Sequence, residues 1–259
     1  MLAYFLTVDQ QILTMLLMVA VGYILYKTKM IGEKGLSEMS QLLLKIVTPM
    51  ILLTSFQREF SQEVFTEWLA MFGISALFYG IMIAVATLVY RNKTKTCWGE
   101  SRLSVVFPNN GFMAIPLMLA LAGEKGVFLG STNIILLNIL FWTYGTGILS
   151  PGEKIRFRQI LLNPGIIAVI LGLLLFISPQ KLPQPVFQAV NQIGSLNTPL
   201  AMIVLGGFLA QSNLKELFQN AAFYKISIIK LLLIPCILFA VLLLLPMSDA
   251  VKTVAAICA

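Results

Sequence analysis

Eight stretches of the chain are apolar over lengths that suit a lipid bilayer, at roughly 10–26, 37–56, 64–90, 101–122, 127–148, 164–178, 187–209 and 221–245, and a ninth begins near Asp249. In hydrocarbon every backbone N–H and C=O needs a partner within the protein, and a helix supplies one for each. The expected fold class is therefore an all-α polytopic membrane protein. Composition agrees: 58% of residues are hydrophobic and 11% charged, where soluble domains carry about 25% charged. Met1–Gln10 has no basic region and carries Asp9, so it reads as the start of a retained first helix, unlike a cleaved signal.

The net charge of +7 follows topology. With the N-terminus outside, the cytoplasmic loops hold Lys27, Lys29, Lys34, Arg91, Lys93, Lys95, Arg102, Lys154, Arg156, Arg158, Lys215 and Lys225. The outer loops hold only Arg58, Lys125, Lys181 and Lys252. This is the positive-inside pattern, and it leaves no patch for nucleic acid. The chain has no histidine, which excludes histidine catalysis, ligation and proton relay within these residues. Cys97, Cys236 and Cys258 lack metal spacing and read as free thiols. No G-x-x-x-x-G-K-[ST] or G-x-S-x-G motif occurs, so neither an ATP motor nor an elbow nucleophile is encoded here. No cofactor and no metal is expected.

The chain repeats itself. Gly22-Tyr23-Ile24-Leu25-Tyr26 resembles Gly172-Leu173-Leu174-Leu175-Phe176, and Thr48-Pro49 matches Thr198-Pro199, both at an offset of 150 residues. The unit holds five helices, and an odd number reverses orientation, so the halves form an inverted repeat. Residues 1–148 are the first repeat, 149–163 a cytoplasmic linker and 164–259 an incomplete second repeat. The same offset carries Pro108 to position 258. The partner of any feature at Pro108 is thus expected at or beyond Ala259, in a truncated form of a ten-helix protein.

That feature is Phe107-Pro108-Asn109-Asn110-Gly111-Phe112-Met113-Ala114-Ile115-Pro116, inside the fourth apolar segment. Two prolines remove N–H donors and push Phe107 and Ile115 away from helical geometry. Broken backbone survives in a membrane only where protein buries it or it lines a wet cavity. Interrupted helices are where secondary transporters bind substrate, and a half-helix start turns free N–H groups toward an anion. Pro108, Asn109, Asn110 and Gly111 are therefore the leading substrate-site candidates; the bland alternative is a proline kink with satisfied asparagines. Thr198 and Pro199, after Asn197 and before Gly206-Gly207, read either as a kinked helix facing substrate or as ordinary close packing. Of Asn133, Asn138, Thr143 and Tyr144 in the fifth helix, Asn138 is the better site candidate because it lies near mid-segment. Lys45, one turn from Pro49, is a candidate for anion attraction or coupling, and Glu67 for coupling. Lys230 is expected to snorkel to the nearer interface.

Val106 to Leu117 resembles the fourth-helix signature of the auxin efflux carrier family of membrane transport proteins. Asn163-Pro164-Gly165 leading to Gly172 is similar to that family's sixth helix, and Leu205-Gly206-Gly207-Phe208-Leu209-Ala210 to its seventh. The resemblance implies ten helices in two inverted repeats, crossing broken helices four and nine, and a scaffold of helices one, two, six and seven that often forms a homodimer. This is a fold like that of bile-acid symporters. It implies organic anions as substrates, and the short linker resembles bacterial members that carry malate or malonate. The expectation is a carrier in the plasma membrane of a bacterium, with no enzymatic activity, coupled to protons or to the membrane potential, with Na⁺ an open alternative. An anion channel and a non-transporting carboxylate receptor remain the rival readings.

Overall fold

Helices form where the apolar segments lie, and prolines decide where they break. The computed structural model describes residues 2–91, 98–149, 157–178, 180–213 and 221–258. Helix α1 spans Leu2–Lys27, α2 Glu33–Ser55, α3 Gln62–Val89 and α4 Trp98–Val106. The chain resumes as α5 (110–122), reverses, and returns as α6 (124–149). Then come α7 Phe157–Leu161, α8 Pro164–Ile177, α9 Gln184–Gln211, α10 (221–244) and α11 Asp249–Cys258. No strand occurs among the described residues. Among the described residues six stretches are long and apolar enough to cross a membrane, so the protein is an all-α polytopic membrane protein.

One of those six, Phe112–Leu149, is two arms. Gly123 has φ 59° and ψ −155°, a left-handed conformation that glycine adopts without strain. Across it the Met118 sulfur lies against Gly130, residues that a straight helix would hold about 18 Å apart. The separate segments 101–122 and 127–148 are thus realised as a hairpin. Segment 164–178 is realised differently, as a 14-residue helix about 21 Å long. Asn163 starts it, its side-chain oxygen accepting from the Gly165 N–H at 2.9 Å and the Ile166 N–H at 3.3 Å.

Three prolines inside helices are each preceded by a wide π-helical turn. Leu43–Val47 precedes Pro49, Asn110–Ala114 precedes Pro116, and Ile229–Leu233 precedes Pro235. A proline ring presses on the carbonyl one turn back, and a wider turn moves that carbonyl aside.

Small residues set the packing of α1, α2, α8 and α9. Gly22 lies on the Ile203 backbone and Gly206 on the Val19 carbonyl, so α1 and α9 meet backbone to backbone. Gly172 of α8 faces the Phe56 ring at the end of α2, where a Cβ would come within 2.7 Å. Asn197 donates to Thr48 Oγ1 at 3.1 Å, and Gly194 faces the Ile51 backbone. Residue numbers thus rise along α2 as they fall along α9, and the two helices run antiparallel. A buried cluster of Phe56, Phe128 and Phe176 joins α2 and α8 to α6, with ring centroids 4.8 and 5.1 Å apart.

Two ends of the molecule are distinct. At one, Lys181 pairs with Glu59 at 3.9 Å, Gln57 accepts from the Leu182 N–H at 2.9 Å, and Lys125 pairs with Glu67 at 2.6 Å. Arg58 lies over the Phe128 ring there; burial lowers its pKa from the ordinary value, while Glu124 and Glu67 oppose the shift. At the other end Lys225 covers the Tyr90 ring, and Trp98 donates to the Tyr90 carbonyl at 2.6 Å. Cys236 and Cys258 are free thiols. Cys97, Lys93, Lys95, Lys154, Arg156, Lys215 and residues 150–156 of the 149–163 linker lie outside the described residues.

A side chain at Gly206 has to displace backbone, whereas one at Gly73 meets nothing within 4 Å. Gly206→Val is expected to destabilise the protein by about 1–3 kcal/mol, and Gly73→Ala to leave it within about 0.5 kcal/mol. Thermal unfolding in detergent measures both; equal melting points for the two variants would contradict the close α1–α9 packing.

Candidate functional site at the broken helix

Pro108 has no N–H, so the Ser104 carbonyl loses the donor that would lie one turn ahead. Helix α4 accordingly ends at Val106, with a last bond from the Phe107 N–H to the Leu103 carbonyl at 2.9 Å. Asn109 leaves helical geometry at φ −84° and ψ 57°, and α5 begins with the wide turn Asn110–Ala114. The Met113 N–H reaches back to the Asn109 carbonyl at 3.1 Å. The N–H groups ahead of it in that first turn have no carbonyl one turn back, and they give the start of α5 a positive partial charge.

The two asparagines part company here. Asn109 is exposed, while Asn110 is buried, with 4% of its surface accessible. The Asn110 amide donates to Asn133 Oδ1 on α6, and the Tyr79 hydroxyl on α3 donates to the same oxygen at 3.1 Å. Asn133 is fully buried, and its Nδ2 has no hydrogen-bond partner. An unpaired buried amide donor costs about 1–3 kcal/mol, so this amide is poised to bond an acceptor brought to it. Neighbouring polar pairs extend the contact between α3 and α6: Trp68 donates to Ser131 Oγ at 3.0 Å, and Ser75 lies 3.5 Å from Thr132. Helix α11, buried through Val251, Val254, Ala255 and Cys258, packs on α3, α6 and the first turn of α5.

Two cations hold α4 at the break. The Lys230 ammonium on α10 donates to the carbonyls of Ser104 at 2.7 Å and Phe107 at 2.8 Å. Arg102 donates to the Tyr144 hydroxyl at 2.6 Å and to Thr87, and lies over the Trp98 and Tyr144 rings. Lys230 therefore turns inward to the broken backbone and does not snorkel to the interface, because carbonyls freed by Pro108 are within its reach.

The other sequence candidates fall in different places. Phe112 packs against the buried cluster of Met15, Leu43, Val47, Ala201 and Met202, and the start of α5 lies against the Asn197–Gln211 part of α9, which holds Thr198 and Pro199. Those two are half-buried; their neighbour Asn197 is fully buried, with Oδ1 unpartnered. Asn138 is committed elsewhere: its Nδ2 donates to the Ile134 carbonyl and its Oδ1 accepts from the Asn163 cap at 2.7 Å. Lys45 donates to Gln41 at 2.8 Å and, with Trp142, Arg158 and Asn163, lines an open cleft of about 920 Å³. Glu67 is held by Lys125 and by the Ser248 hydroxyl at 2.7 Å, near the start of α3. Gly111 lies within the first turn of α5. Tyr79 and Lys230 were not read from sequence as parts of the break, and Asn133 stood behind Asn138. The run Ser131-Thr132-Asn133 in an apolar helix was the available signal for Asn133.

Tyr79→Phe keeps the ring and removes one donor to Asn133. It is expected to cost about 1 kcal/mol, read as a lowered melting point in detergent; an unchanged melting point would mean that the hydroxyl does not hold Asn133.

No curated protein matches the chain in sequence. A family model described as membrane transport protein matches residues 7–259. With the match running over nearly the whole chain, the protein belongs to the membrane transport protein family, that of the auxin efflux carriers which its fourth apolar segment resembles.

Proposed function

We propose that this membrane transporter is a secondary carrier of small organic anions, working by alternating access in the plasma membrane. Family membership supports transport as its activity. The observation that carries the finer reading is the break itself: a half-helix start beside two buried asparagines, one with an unpaired amide donor. A carboxylate is a natural ligand for the free N–H groups and amides of a half-helix start. Pro108, Asn109, Asn110 and Gly111 shape the site, Asn133 adds its free donor, and Thr198 and Pro199 form the facing surface. Lys45, open to its cleft, draws anions toward the protein. Malate and malonate are the first substrates to try, with protons or the membrane potential as the coupling force.

Packing supports an inverted repeat of 1–148 and 164–259 as the machinery. Gly22 receives α9, and Gly172, its counterpart at the same offset, receives the end of α2. The α2–α9 crossing lies at Thr48 and Asn197, beside both Thr-Pro pairs. The α1, α2, α8 and α9 group would serve as the scaffold and homodimer surface, with α3 to α6 moving against it. The distribution of basic residues supports an N-terminus outside.

Counterflow in proteoliposomes tests this: full-length protein, unlabelled malate inside, trace labelled malate outside, and malonate as competitor. Saturable accumulation is expected, and Asn110→Ala should slow it by about tenfold or more, the scale of one hydrogen bond to a charged group. Wild-type counterflow in a folded Asn110→Ala variant would remove Asn110 from the site; flux without saturation or counterflow would mean a channel.

A further inference from the structure

Lys230 has a role that anion binding leaves unexplained. It sits in the wide turn Ile229–Leu233 of an apolar helix, where an ammonium is costly unless paired. Its partners are not carboxylates. They are two main-chain carbonyls of the broken helix, Ser104 at 2.7 Å and Phe107 at 2.8 Å. Both are orphaned by the break: Pro108 has no N–H for the first, and the chain is no longer helical beyond the second. The end of a helix also carries negative partial charge. Paired carbonyls at an interrupted helix end are the coordination chemistry that a monovalent cation seeks in carriers of this general build.

We propose that the Lys230 ammonium is a tethered counter-cation, occupying a carbonyl site at the end of α4 that a free cation would otherwise fill. It acts as a positioning residue: it holds the end of α4 to α10 and so fixes where the start of α5 points. The inference rests on the carrier reading for its transport consequence, which is that the wild-type protein has no need of Na⁺ to keep the break assembled. Removing the side chain should turn a cation-independent protein into a cation-dependent one.

The test compares wild type, Lys230→Arg and Lys230→Ala in proteoliposomes with N-methylglucamine as the sole bulk cation, then with added Na⁺ or methylammonium. Malate counterflow by Lys230→Ala is expected to fall to about a tenth of wild type or less, the loss of a charge-assisted bond. Added Na⁺ or methylammonium should restore it, Lys230→Arg should retain it, and wild type should ignore both cations. Melting points of the same three proteins in detergent give a readout free of any substrate: Lys230→Ala should melt lower and regain its melting point with either cation. Wild-type behaviour of Lys230→Ala, or a loss that neither cation reverses, overturns the proposal. A cation effect on melting without malate counterflow in wild type would leave the tethered cation standing and remove the carrier reading for malate.

Discussion

Everything distinctive in this protein depends on one lost hydrogen bond. Pro108 cannot donate to the Ser104 carbonyl, and in a membrane that carbonyl has no water to turn to. The protein answers with Lys230 from α10, while Arg102 ties α4 to α3 and α6 through Thr87 and Tyr144. The same break frees the first turn of α5, and the Asn110–Asn133–Tyr79 group assembles beside it. Each half of the interrupted helix is thus held by a different chemistry: cation on carbonyl at the C-terminal end of α4, amide on amide at the start of α5.

The surrounding architecture makes such a break tolerable. Buried hydroxyls and an indole line the contact of α3 with α6, and each finds a local partner. Against that satisfied background the free Nδ2 of Asn133 and the free Oδ1 of Asn197 stand out. One lies under the first turn of α5. The other lies where α2 crosses α9, beside the Thr-Pro pairs. Unpaired polar atoms at zero exposure are expensive, and these two are fully buried.

Much of the break was legible in the sequence, for a physical reason. Prolines and glycine act on their own backbone, so the break at 107–109 and the wide turn at Asn110 follow from local chemistry. The choice between asparagines was not local. Asn133 and Asn138 occupy one helix, and nothing in their spacing tells which meets Asn110 and which meets the Asn163 cap. Lys230 was misjudged for the same reason: snorkelling is the default for a lone lysine, and its partners lie more than a hundred residues away in the chain.

By itself the sequence determined the all-helical membrane fold, the place of the broken helix and the family, because hydropathy, proline chemistry and the residues of the fourth segment are properties of consecutive residues. Only the tertiary structure decided the rest. It showed that Phe112–Leu149 is a hairpin turned at Gly123, that α1 and α9 meet backbone to backbone at Gly22 and Gly206, and that Asn110, Asn133, Tyr79 and Lys230 converge on one break. Those facts depend on which helix faces are brought together, and a face acquires its partner only when the whole chain has packed.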